Sequence, residues 1–163
     1  MDWEALRLSL LLAAATGLVL IPAGVIVALH WLTFYGSIKL SNASVAASCM
    51  AIAPIFMAVV EPWIARRSFD PRELVIGIVA LPGVALVVGG TPDGMRAGIV
   101  VGVLSALLVV IFGSLNKRLV ERAEPLVMTW VELAAGAAFL GVVSAVMRDW
   151  ISPAPLVSKK PGC

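Results

Sequence analysis

Long apolar runs, separated only by short polar segments, dominate this chain and limit what it can fold into. One run covers residues 8–38 without a formal charge when His30 is neutral. Of the 163 residues, 61% are hydrophobic and 13% are charged, whereas roughly a quarter are charged in a soluble domain. In a bilayer the backbone groups must be satisfied within the chain, so runs of this length predict membrane-spanning helices.

The amino-terminal run is longer than one membrane crossing requires. As a single helix, residues 8–38 would be about 46 Å long, against a hydrocarbon core of about 30 Å. Two full crossings and a turn would need about 40 residues or more. We therefore expect an interfacial helix over residues 1–14, followed by a first span over residues 18–37.

Four further apolar runs predict four further spans, at residues 43–60, 74–90, 97–115 and 126–147. The expected fold is therefore an all-α, polytopic bundle of five transmembrane helices plus the interfacial amino-terminal helix. Residues 148–163 contain three prolines and no periodic pattern. This composition predicts a disordered tail.

Basic residues are unevenly distributed between the two sides of the predicted bundle. The internal loops on one side, around residues 61–73 and 116–125, contain six lysines and arginines, whereas those on the other side contain two, Lys39 and Arg96. Cytoplasmic loops carry the excess of positive charge in membrane proteins. We therefore expect a multi-pass protein of the cell (inner) membrane with its amino terminus in the cytoplasm.

Several classes of function find no support in the sequence. The basic residues form no continuous stripe, so no nucleic-acid partner is expected, and the two cysteines and one histidine show no metal-ligand spacing. No phosphate loop or nucleotide motif indicates a cofactor. Ser114 and His30 offer a nucleophile and a base, but they lie toward opposite sides of the membrane in their predicted spans, so we expect no enzyme activity.

Several short segments follow one another in a recognisable order. Residues 29–35 read LHWLTFY, followed by SVAA at 44–47, APIF at 53–56 and GVAL at 83–86. A longer stretch over residues 98–124 contains LNKRL and precedes Pro125. In their order and spacing, these segments resemble EamA-type transporters of the drug/metabolite transporter superfamily. The resemblance covers about residues 18–141.

The resemblance implies an architecture and an activity. EamA-type transporters usually have ten helices in two inverted five-helix repeats. Residues 15–90 would correspond to the last three helices of a first repeat, and residues 97–147 to the first two of a second. The implied activity is alternating-access transport, often outward, of a small metabolite, amino acid or drug.

The sequence also leaves a non-transporting interpretation open. The chain could be a membrane scaffold, a partner subunit or an inactive fragment. Faces of small residues, such as the one containing Gly98 and Gly102, would suit close helix packing in a transporter or in a homodimer. The lipid bilayer is a partner under every interpretation.

Five residues are candidates for substrate binding: His30, Trp31, Tyr35, Pro54 and Glu132. The first three lie toward the outer end of the first span, where aromatic residues commonly form an interfacial belt. A belt is the expected role, and a substrate-facing role is the alternative, because a titratable histidine is disfavoured against lipid. Pro54 can bend its helix, and bent helices in transporters expose backbone groups to substrates.

Glu132 is an acidic residue well inside a predicted span. A charge at such a position costs on the order of 3 kcal/mol, so Glu132 should face a water-filled cavity, pair with a base or stay protonated. A role in proton coupling or in binding a substrate amine is one interpretation, and an ion pair with Lys117 or Arg118 is the other. Asn116 is interpreted as the end of the fourth span, and Glu61 as a partner of the adjacent arginines.

Overall fold

The computed structural model describes residues 3–120 and 124–147. In this part of the chain the elements are α1, Trp3–Leu40; α2, Ala43–Met50; α3, Ala53–Ile64; α4, Pro71–Gly89; a 3₁₀ turn, Asp93–Met95; α5, Arg96–Leu119; and α6, Pro125–Val146. They provide five stretches long and apolar enough to cross a membrane, one of which consists of α2 and α3 together. The predicted all-α bundle of five spans is confirmed, and the predicted tail at residues 148–163 lies outside the described residues.

α1 is one continuous helix, which contains both the predicted interfacial segment and the predicted first span. It runs without a break from Trp3 to Leu40, with Pro22 inside it. The chain has no glycine or proline before Gly17, and its leucines and alanines favour the helix. The part long and apolar enough to cross a membrane is Gly17–Leu40. The predicted boundary after residue 14 is therefore not a helix end.

The predicted span over residues 43–60 is present, and it consists of two helices, because α2 ends at Met50 and α3 begins at Ala53. Pro54 explains the break: it has no N–H to donate to the carbonyl of Met50, and its ring crowds the preceding turn. The amides of Ala51 and Ile52 instead donate to carbonyls three residues back, at 3.1 and 3.2 Å. Pro54 then lies in the first turn of α3, where a missing N–H is harmless.

Local chemistry sets the other helix ends. The side chains of Asn42 and Asp70 accept hydrogen bonds from backbone amides in the first turns of α2 and α4, both at 2.9 Å. α5 extends to Leu119, so residues 116–118, predicted to lie in a loop, are helical. Two of these residues are cations, which are favourable near the carboxyl end of a helix.

α5 lies at the centre of the bundle. α1 packs along one side of it and α2 and α3 along the other, while α4 packs against α2 and α3, and α6 against α1. Glycines allow the closest approaches. A Cβ added at Gly102 would lie 2.8 Å from Ser37 Oγ, and one added at Gly24 would lie 2.5 Å from the backbone oxygen of Glu132. Many apolar side chains of α4 and α6 are exposed, which suits helices that contact lipid.

Candidate functional site

Buried polar side chains connect α5 to its neighbours within an otherwise apolar bundle. In the described part of the chain these are His30, Ser37, Glu61, Ser105, Ser114 and Glu132. Apart from Ser114, each forms a hydrogen bond or ion pair across an interface of α5. The hydroxyl of Ser114 is buried and has no hydrogen-bond partner among the described residues. The helix at the centre of the fold therefore also links the polar groups of the interior.

His30 is bound to Ser105 where α1 crosses α5. Nδ1 of His30 lies 3.0 Å from the carbonyl oxygen of Ser105, and Oγ of Ser105 lies 3.0 Å from the carbonyl oxygen of His30. Oγ of Ser105 also lies 2.9 Å from Nδ1 of His30, so the ring nitrogen donates to the Ser105 carbonyl or accepts from the Ser105 hydroxyl according to its tautomer. His30 is 6% exposed. The pair is a reciprocal connection between two spans.

Two of the aromatic residues beside His30, Trp31 and Tyr35, face away from the bundle. Trp31 and Tyr35 are 46% and 58% exposed, and their rings stack with centroids 5.9 Å apart. Phe34 meets Trp31 edge to face at 6.3 Å. Exposed aromatic rings near the end of a span are typical of a membrane interface. Their predicted contact with substrate stays a prediction.

Glu132 on α6 is paired with an amide rather than with a base. Asn116 Nδ2 donates to Oε2 of Glu132 at 3.1 Å. Oε1 of Glu132 and Oδ1 of Asn116 are buried and have no hydrogen-bond partner among the described residues. The alternative ion pair with Lys117 or Arg118 is not formed, because Lys117 binds Glu61 and Arg118 donates to the carbonyl of Ile64.

Glu61 forms the centre of an ion-pair cluster at the end of the bundle. It is 4% exposed and lies 2.6 Å from Lys117 Nζ and 3.0 Å from Arg67 Nε. Arg67 also binds Glu73, and this hydrogen bond, helped by the attraction of both carboxylates, raises the pKa of its guanidinium. The predicted partnership of Glu61 with an adjacent arginine is therefore present. Because Lys117 and Arg67 both bind Glu61, the basic segments around residues 61–73 and 116–118 lie at the same end of the bundle.

The structure does not gather the five predicted substrate-binding residues into one site. His30 and Glu132 both contact α5, but at Ser105 and Asn116, which are about 16 Å apart along a helix that rises 1.5 Å per residue. Pro54 is exposed and belongs to α3, on the other side of α5. The five residues therefore occupy three separate places in the bundle.

Sequence reasoning missed Ser105 and Asn116 as partners of His30 and Glu132. The interpretation of Asn116 as a helix end is wrong, since α5 continues to Leu119. A signal was available, because residues eleven positions apart lie on the same side of a helix, three turns from each other. Two polar residues with that spacing in an apolar helix indicate one polar stripe.

No group of three or more metal-ligating side chains is present within residues 3–120 and 124–147. Comparison with known proteins finds no match for this chain among protein-family models, curated proteins or solved structures.

Proposed function

We propose that this chain is a multi-pass transporter, or part of one, that moves a small metabolite, amino acid or drug across the cell membrane by alternating access. The break in the second span, between Met50 and Ala53, carries the proposal. Interrupted helices at membrane depth are used by transporters to present free backbone groups to substrates and ions. The resemblance to EamA-type transporters gives the expected substrate classes.

The chemistry of the break supports this role. Pro54 has no N–H for the carbonyl of Met50, and the amide of Ile55 donates to Ile52 at 3.0 Å rather than to Ala51. The carbonyls of Met50 and Ala51 thus lose the donors that a regular helix would supply. Carbonyls without a helical donor are tolerated at membrane depth only where they are covered by protein or line a water-filled cavity.

The position of the break also favours transport. It lies near the middle of the stretch Ala43–Ile64 and is next to Cys49, whose Cβ would lie 2.9 Å from a methyl group added at Gly102 of α5. A break against the central helix is where movement of one half of the span would alter packing around α5. We further propose that the Glu61 end of the bundle faces the cytoplasm, because the basic segments meet there.

Uptake by liposomes tests the proposal. The purified full chain is reconstituted, and uptake of a panel of radiolabelled amino acids and a cationic dye is compared with uptake by empty liposomes. Pro54→Ala supplies an N–H for the carbonyl of Met50, so we expect it to close the break and to lower the transport rate severalfold. Pro82→Ala is the matched control, because Pro82 lies inside the continuous helix α4.

The possible outcomes separate the two interpretations. Uptake of at least one compound above the empty-liposome level, reduced in Pro54→Ala and retained in Pro82→Ala, supports transport through a pathway that uses the break. Equal uptake with and without the protein for every compound would contradict the proposal and favour a scaffold or partner subunit.

A further inference from the structure

We propose that Glu132 and Asn116 form a proton-binding site, in which a neutral Glu132 carboxyl group and the Asn116 amide hold each other through two hydrogen bonds. The site rests on its own geometry, and only its physiological role, as the place where the coupling proton binds, rests on the transport function proposed above. The alternative role of Glu132, binding the amine of a substrate, would require an open cavity beside the carboxyl group, whereas binding a proton requires none.

The hydrogen bonds already formed define the position of the proton. Asn116 Nδ2 donates to Glu132 Oε2 at 3.1 Å, which leaves two atoms of the same pair, Oε1 and Oδ1, buried and without a partner. Both atoms are acceptors when Glu132 is ionised, so neither can satisfy the other. A proton on Oε1 converts it into a donor. Its acceptor is Oδ1 of Asn116, which belongs to the same amide group whose Nδ2 already donates to Oε2. One proton thus satisfies both orphaned atoms.

No cation compensates an ionised Glu132 in the described part of the chain. Its own helix α6 packs against α1, and its hydrogen-bond partner lies on α5. The charged or titratable residues described on α1 and α5 are Glu4, Arg7, His30, Tyr35, Lys39, Arg96, Lys117 and Arg118. None of them forms an ion pair with Glu132, and three are engaged elsewhere: His30 with Ser105, Lys117 with Glu61 and Arg118 with Ile64.

The surroundings of Glu132 favour the neutral form. On α1, the residue closest to the Glu132 backbone is Gly24, which has no side chain to pair with a charge; a Cβ added there would lie 2.5 Å from the backbone oxygen of Glu132. Glu132 is 5% exposed, so little water reaches it. Burial of a carboxylate without a counter-charge is strongly unfavourable, whereas a neutral carboxyl group with two hydrogen bonds is well tolerated.

Release of the proton has a structural consequence. The bond between Asn116 and Glu132 is the side-chain hydrogen bond that joins α5 to α6 among the described residues. Deprotonation removes one of the two bonds in the pair and creates a buried charge that draws in water. Loss of the proton therefore weakens the direct link between α5 and α6, while α6 stays packed against α1.

Infrared spectroscopy tests the site without reference to transport. The full chain in liposomes is expected to show, at pH 7, the carbonyl stretching band of a protonated carboxylic acid, and this band should be lost in Glu132→Gln. The variant should still fold, because a glutamine amide can donate to Asn116 Oδ1 and accept from Nδ2 in the same arrangement. Glu124→Gln, an exposed carboxylate just before α6, is the matched control and should leave the band unchanged.

A second variant tests the partner. Asn116→Leu removes both hydrogen bonds and should shift the band of Glu132 to higher frequency, as for a carboxyl group without a partner. Absence of the band at pH 7 in the wild-type chain, or its persistence in Glu132→Gln, would overturn the proposed site. An unshifted band in Asn116→Leu would remove Asn116 from it.

Transport measurements then separate the site from its role. If the band behaves as expected and uptake is accelerated by a pH gradient in the wild-type chain but not in Glu132→Gln, the proton bound at Glu132 is the coupling ion. If uptake by Glu132→Gln still responds to the gradient, the coupling role is refuted and the proton site remains. If no compound is transported at all, the transport function fails while the spectroscopic result stands on its own.

Discussion

A methyl group added at Gly24 should weaken the interface between α1 and α6. In Gly24→Ala the new Cβ would lie 2.5 Å from the backbone oxygen of Glu132 and 2.9 Å from the Cβ of Ala135. Ordinary contacts begin at 3.4 Å. The helices must therefore separate locally by nearly 1 Å, because a backbone oxygen in the middle of a helix cannot turn away as a flexible side chain can.

The size of this effect can be isolated with a second glycine of the same helix. A methyl group at Gly17 meets nothing within 4 Å. Both substitutions gain the same helix propensity, about 1 kcal/mol for glycine to alanine. Their difference thus reports the close contact alone, for which overpacking costs about 1–3 kcal/mol. Gly24→Ala should be less stable than Gly17→Ala by that amount.

Thermal stability in a mild detergent provides the assay. The fraction of protein that stays monodisperse on size-exclusion chromatography is measured after heating, and the midpoint of Gly24→Ala should lie several degrees below that of Gly17→Ala. At about 2–4 °C per kcal/mol for a chain of this size, the expected difference is measurable. Equal midpoints would show that α1 and α6 are not in backbone contact at Gly24, and the reasoning about their packing would be refuted.

Three further changes should alter stability in the same assay. Glu61→Gln removes the carboxylate that Lys117 and Arg67 share and should lower the free energy of unfolding by about 1–3 kcal/mol. The control, Asp93→Asn, loses an ion pair with Arg96 in which both side chains are exposed, and it should cost less than about 1 kcal/mol. A similar loss in both variants would contradict the burial of Glu61. Ser37→Ala loses a 2.6 Å hydrogen bond to the carbonyl of Gly98 and should cost about 0.6 kcal/mol, because that carbonyl still accepts a backbone hydrogen bond within α5. A loss above about 2 kcal/mol would refute this reasoning. Arg66 has φ 55°, in the left-handed region that glycine adopts at lower cost, so Arg66→Gly should raise the free energy of unfolding by up to about 1 kcal/mol. A lower thermal midpoint in this variant would show that the Arg66 side chain makes a contact that stabilises the fold by more than the backbone strain costs.

The spans were predictable because the bilayer imposes a simple rule on the chain. A run of about 20 apolar residues must become a helix there, whatever its neighbours are. The predicted fourth and fifth spans accordingly agree with α5 and α6 to within a few residues. Differences arise where local chemistry, not hydropathy, sets the helix end. α4 begins at Pro71, three residues before the predicted start, because Asp70 caps it.

The break after Met50 was only half predictable. Pro54 marks a weak point in any helix, and the sequence identifies it as a bend. Whether the chain bends smoothly or separates into two helices depends on what the neighbouring helix allows. Here the small side chain of Cys49 meets Gly102 of α5, so the two halves are packed separately against the central helix.

Composition and the order of apolar and polar segments determined that this chain is a bundle of five spans, because hydropathy and helix length act on each segment by itself. The partners of the polar residues were decided only by the tertiary structure. Glu132 meets Asn116 and not Lys117, although the two α5 residues are neighbours in the sequence. Adjacent residues on a helix point about 100° apart, so one faces α6 and the next faces α3. The placement of the helices around α5 thus turns one polar segment of sequence into a carboxyl–amide pair on one side and an ion pair on the other.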